Sequence, residues 1–272
     1  MIRLSKKTMK HKGFAIAAVS ALLLLEAAFA GGLEDPSWNI KKSEHFIIYY
    51  HEAPAEYIED VINAAEKYYN SITAELGFTR FDSFWTWDKR AKIYLYKDAK
   101  EYRDMSKQPG WSGAGVNIYS REIKTFVNMR HFFDTILPHE LGHIIFREFV
   151  GFDKSLPLWM DEGVVSYLEK DYRGSRSAMV RSIVDSKYFM PLEELDRIRS
   201  LNKFISPDIF YAESASVIEF LMTVYGQEKF INFCRHLRGL RSHDTWDKAA
   251  EEVYGFRDIS EMNQKWMEFL NR

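Results

Sequence analysis

His139-Glu140-Leu141-Gly142-His143 is the segment with the most chemistry per residue in this chain. On a helix, residues four apart sit one above the other on the same face. His139 and His143 therefore aim their imidazoles at a common point. Zinc accepts imidazole nitrogen at about 2.0–2.1 Å, and a turn of helix spaces two rings suitably for one ion. Glu140 follows the first histidine directly. Its carboxylate can face an open coordination position and take a proton from a metal-bound water. The neighbours favour a helix: Leu141, Ile144, Ile145 and Phe149 make an apolar stripe, and Pro138 stands where a first turn tolerates proline. Gly142 is the discordant residue. It costs about 1 kcal/mol against alanine in a helix interior, which points to close packing with a neighbouring element.

A catalytic zinc takes three protein ligands and a water. A third histidine at 149, after a glycine at 146, is ruled out, because both positions are phenylalanine. Glu162 answers instead. Eighteen residues separate it from His143, within Leu158-Trp159-Met160-Asp161-Glu162-Gly163. An antiparallel helix pair joined by a loop over Gly151 to Pro157 would return Glu162 to the histidines. Over Leu137 to Tyr167 this pattern resembles the gluzincins related to aminopeptidase N, and more closely the small exported peptidase MA-like proteins. The resemblance implies a zincin-like fold, one zinc per chain on His139, His143 and Glu162, and Glu140 as general base of peptide hydrolysis. It also implies a tyrosine that donates to the oxygen on which charge develops. Tyr211, downstream of the ligands, is the candidate.

The sequence departs from those relatives in two ways. Aminopeptidase N enzymes carry a G-x-M-E-N stretch whose glutamate grips the substrate amino terminus, whereas here Gly113-Ala114-Gly115-Val116-Asn117 has no glutamate. Thermolysin-like enzymes place an aspartate four residues after the third ligand to orient a histidine. That position is Ser166, so Asp161 is the expected substitute.

The elements that must position these groups are legible in outline. Strand-like stretches occur at His45–His51, Ala91–Tyr96, Val116–Tyr119 and Ile123–Val127, the last pair joined as a hairpin. Ile123–Val127 is expected at the sheet edge, where its backbone would pair with an extended peptide. Helical spacing covers Ala55–Leu76 and Ala99–Ser106. From Phe132 onward only helical patterns remain, at Leu137–Val150, Met160–Glu169, Ser177–Ser186, Tyr211–Tyr225, Gln227–Arg238, Thr245–Val253 and Ile259–Leu270. The expected fold class is α+β: a small mixed sheet lobe (31–131), then a helical lobe (132–272), with the metal-site helix at the cleft between them.

The first thirty residues read as a signal peptide. Arg3, Lys6, Lys7, Lys10 and Lys12 precede an apolar run from Phe14 to Leu25, and Ala28-Phe29-Ala30 ends it. An uncleaved anchor is the competing reading, but a span needs about 20 apolar residues. Secretion or a periplasmic location is expected, with cleavage after Ala30 and no stable membrane insertion afterwards. Of 37 Lys and Arg and 39 Asp and Glu, five bases and one acid leave with this segment, so the rest carries 32 against 38, a net charge near −6. That charge argues against a nucleic-acid partner. Cys234 is the only cysteine, so no internal disulfide exists.

A peptide or protein is the expected substrate. Two other functions compete: a non-catalytic module that binds peptides or a partner, and a zinc hydrolase of a non-peptide amide or ester. Intact Glu140 argues against the first. Trp111 and Trp159 are candidate pocket walls, although tryptophan more often packs in a core.

Overall fold

The computed structural model describes residues 37–78, 89–106, 114–201, 205–241 and 244–272. The signal segment, Trp111, Gly113 and His243 lie outside them. The fold is α+β, with a small mixed sheet first and a helical region after it.

Five strands form the sheet: β1 (Asn39–Lys42), β2 (Phe46–Tyr50), β3 (Ala91–Tyr96), β4 (Ala114–Asn117) and β5 (Glu122–Phe126). Their order is β1-β2-β3-β5-β4. β2, β3 and β5 run parallel, and the two outer strands run antiparallel to their neighbours. Parallel neighbours need crossovers. α1 (Ala55–Leu76) links β2 to β3, and α2 (Ala99–Ser106) lies between β3 and the β4–β5 hairpin. Alternation sorts the side chains. Phe46, Ile48, Ala91, Ile93, Leu95, Ile123 and Thr125 are buried on one face. The other face carries Tyr94, Tyr96 and Lys124, with Trp38 set edge-on to both tyrosines.

The strand order corrects one expectation. The segment Ile123–Val127 is not the edge, because β5 pairs with β3 on one side and β4 on the other. β4 takes the edge. Local alternation showed which residues share a face, but not which strands lie side by side.

A turn with Asn128 and His131 in the left-handed region (φ 61° and 60°) leads from the sheet through a π-helical turn, Phe132–Ile136, into α3 (Leu137–Val150). The helical region continues with α4 (Leu158–Leu168), α5 (Lys170–Ile183), α6 (Leu192–Leu195), α7 (Pro207–Phe220), a second π-helical turn (Leu221–Tyr225), α8 (Gln227–Gly239), α9 (Trp246–Tyr254) and α10 (Ile259–Leu270). α5 begins earlier than its apolar spacing suggests. Lys170 to Arg176 is polar and leaves no buried stripe, with Val180 the only buried residue of the helix.

One continuous buried cluster joins sheet and helices. α1 packs against both β2 and α3, and α3 against α8. Two arginines hold α3 at its far end. Arg121 of the β4–β5 turn donates to buried Glu148 (Nε–Oε2 2.7 Å), and Arg238 of α8 donates to the carbonyls of Glu148 and Phe149 (3.1 and 2.7 Å).

Candidate metal centre

α3 and α4 meet closely enough for their side chains to share a site because glycine stands at two crossings. A Cβ on Gly142 would lie 3.2 Å from Val165 Cγ2, so the mid-helix glycine is explained by contact with α4, as expected. A Cβ on Gly163 would lie 2.5 Å from the backbone oxygen of Ser214 in α7. α4 is thus wedged between α3 and the α7 backbone, and Glu162 is delivered from that wedge.

His139 and His143 present their rings 5.0 Å apart at an interplanar angle of 79°. Glu162 Oε2 lies 3.8 Å from His139 Nε2 and 3.7 Å from His143 Nε2. The three ligand-type atoms all fall within 4.8 Å of one another. These groups are buried, as is Glu140, with 2% exposure. His139 Nε2 and Glu162 Oε2 have no hydrogen-bond partner among the described residues. An unsatisfied buried polar atom costs about 1–3 kcal/mol. Here two such atoms face one point, and a cation there would satisfy both.

The protonation states of the two carboxyls and of His143 agree with that reading, and His139 would release its Nε2 proton on binding a cation. Burial pushes Glu140 up to about 7 and Glu162 up to about 8. Burial also drives His143 well below the usual imidazole range, helped by the charges of His139 and Arg147. Burial acts in the same direction on His139, but its bond to Glu169 and the surrounding carboxylates outweigh it and hold the ring at about 9. These carboxyl groups sit in a medium that disfavours their charge, and a divalent ion is the partner that would restore it.

The sequence pattern of the peptidase MA superfamily matches residues 84–272. The chain belongs to the peptidase MA superfamily. No curated protein matches it significantly. Membership makes this a peptidase-like protein, and the His139–His143–Glu162 group is one that could bind a metal ion.

Within this superfamily member the groups around the three side chains differ from expectation. The carboxylate that meets His139 Nδ1 is Glu169, at 2.9 Å, and not Asp161. Glu169 is held in turn by the Arg176 guanidinium, which also donates to the Ser166 carbonyl at 2.7 Å. Asp161 is taken by Arg147, whose Nε lies 2.9 and 3.0 Å from its two oxygens. Ser166 is buried, and its hydroxyl has no partner among the described residues.

Glu169 and Arg147 were therefore missed by sequence reasoning, although helical spacing marks both. Glu169 follows Glu162 by seven residues, two helical turns, and caps the C-terminal end of α4. Arg147 follows His143 by four.

The remaining candidates sit as follows. Tyr211 is buried near the N-terminal end of α7, edge-on to Phe210 with ring centroids 5.7 Å apart. Trp159 is fully buried, its Nε1 3.1 Å from Asp196 Oδ1 and its ring edge-on to Trp246, so it belongs to the core. Cys234 is buried, and burial raises its thiol far above the usual range, so it is an inert core residue. Among the described residues no helix is long and apolar enough to cross a membrane.

A cavity of about 190 Å³ lies beside the centre, lined in part by Tyr68, Ile72, Pro138, Leu168 and Glu169.

Proposed function

We propose that this protein is an exported zinc-dependent metallopeptidase that hydrolyses peptide bonds, with Glu140 as general base. The carrying observation is the convergence of His139 Nε2, His143 Nε2 and Glu162 Oε2 within 4.8 Å, with buried Glu140 directly after the first of them. Two imidazoles and one carboxylate are a ligand set that suits zinc. Zinc held there supplies Lewis acidity toward a water and toward the scissile carbonyl.

The chain's own groups do the rest. Glu140 accepts a proton from the attacking water on its carboxylate. As the water oxygen bonds to the carbonyl carbon and the C–N bond breaks, Glu140 passes that proton to the leaving amine nitrogen. The Tyr211 hydroxyl donates to the former carbonyl oxygen. Glu169 accepts from His139 Nδ1 and keeps Nε2 turned inward. Edge strand β4 pairs with the extended substrate backbone. Backbone pairing needs no free amino terminus, and β4 contains no glutamate to bind one, so cleavage is internal.

The test is cleavage of a mixed peptide library by the protein, with and without a chelator, including matched peptides with free and acetylated amino termini. Chelator-sensitive cleavage of both matched peptides is expected, with one zinc per chain. Protein that binds no zinc and cleaves nothing overturns the reading, and cleavage abolished by acetylation overturns the internal mode. The export assignment rests on the basic, apolar and Ala28-Phe29-Ala30 segments. Mass spectrometry of the exported chain should find Gly31 first, whereas retention of Leu22 to Leu25 means an anchor.

A further inference from the structure

Arg147 and Asp161 form a buried ion pair beside the metal ligands. Arg147 continues the stripe of His139 and His143, four residues on. Asp161 immediately precedes Glu162. Their exposures are 7% and 2%. Nε of Arg147 lies 2.9 and 3.0 Å from the two carboxylate oxygens, and its Nη2 also meets Oδ2. Its Nη1 donates to the Lys154 carbonyl at 2.7 Å. One guanidinium therefore joins α3, α4 and the loop between them.

A pair like this is a poor device for stability alone. Removing two charges from water is costly, and well-packed apolar residues in their place are often as stable or more so. What the pair does supply is direction. A forked guanidinium on a carboxylate fixes angle as well as distance, which a single ammonium does not. Residues 161 and 162 point about 100° apart around the axis of α4. If α4 turned enough to release Asp161, Glu162 would swing away from both histidines.

We propose that the Arg147–Asp161 pair positions the metal site by setting the rotation and register of α4 against α3, so that Glu162 Oε2 falls 3.8 and 3.7 Å from the two Nε2 atoms. Arg147 and Asp161 are positioning residues and touch neither ion nor substrate. The inference rests on the metal reading of His139, His143 and Glu162.

The decisive comparison is a paired variant, Arg147→Met with Asp161→Leu, beside Arg147→Lys and the unchanged protein. Three quantities are read: thermal stability without metal, zinc affinity by competition with a chelator, and the visible spectrum of the cobalt-loaded protein. The paired variant should keep its metal-free stability, bind zinc about 10–100-fold more weakly, as loss of an orienting partner typically does, and show an altered cobalt spectrum. Arg147→Lys should keep the charge, lose the fork and fall between the two. A folded paired variant with unchanged zinc affinity and cobalt spectrum overturns the inference and leaves the pair purely structural. If the paired variant does not fold, unchanged affinity in Arg147→Lys overturns it equally. Unaltered protein that takes up no zinc overturns the metal reading, and this inference with it.

Discussion

His139 Nδ1 stands 2.9 Å from Glu169 Oε1, and the same glutamate meets the guanidinium of Arg176. A carboxylate at that nitrogen keeps a proton on Nδ1, so the proton the ring gives up on binding a metal comes from Nε2. Glu169→Ala should therefore weaken zinc binding about 10–100-fold while the protein stays folded. Competition with a chromogenic chelator measures this. Unchanged affinity would mean that other contacts hold the ring.

Glu140 is buried beside a ligand-type histidine, and burial pushes it up to about 7. Glu140→Gln preserves shape and removes the proton-accepting oxygen. Turnover should fall about 10²–10⁴-fold with zinc content unchanged. Near-normal turnover in a zinc-replete variant sinks the assignment.

The two crossing glycines should respond differently to alanine. At Gly163 the added methyl meets Ser214 backbone at 2.5 Å, which cannot move aside without shifting α7. A loss of roughly 1–3 kcal/mol is expected from such overpacking. At Gly142 the nearest atoms are Val165 methyls at 3.2 and 3.3 Å. Side chains yield more readily, and alanine gains about 1 kcal/mol in helix propensity, so Gly142→Ala should lie within about 1 kcal/mol of the parent protein. Urea unfolding of both variants is the check, and equal effects would contradict the packing account.

Glu213 of α7 provides a pH signature that does not involve the three ligand-type side chains. It is buried, and one carboxyl oxygen accepts from the Met190 N–H at 3.0 Å. Burial pushes the group up to about 8, with the charge of Glu194 adding to the shift. An acid with a raised folded pKa is protonated more in the native than in the unfolded chain, so stability declines as pH rises from about 4.5 through about 8. Glu213→Gln should flatten this decline. It should be more stable than the parent by a few kcal/mol, on the order of 1.4 kcal/mol per pKa unit, at pH 9 and close to it at pH 4. Parallel stability profiles for the two proteins would refute the prediction.

The sequence alone carried the ligand face of one helix. His139, Glu140 and His143 share a face because of the 3.6-residue repeat, and the α+β division follows from where strand alternation stops. Tertiary structure decided the rest. Whether Glu169 or Asp161 faces His139 depends on how α4 is rotated, and that rotation is set by contacts with Gly142, Ser214 and Arg147 from other parts of the chain. The edge of the sheet passed from β5 to β4 for the same reason: alternation is a property of one strand, whereas strand order is a property of pairing between strands. Helical and pleated periodicity are written locally, but the choice among chemically similar carboxylates and neighbouring strands is made only when distant segments pack.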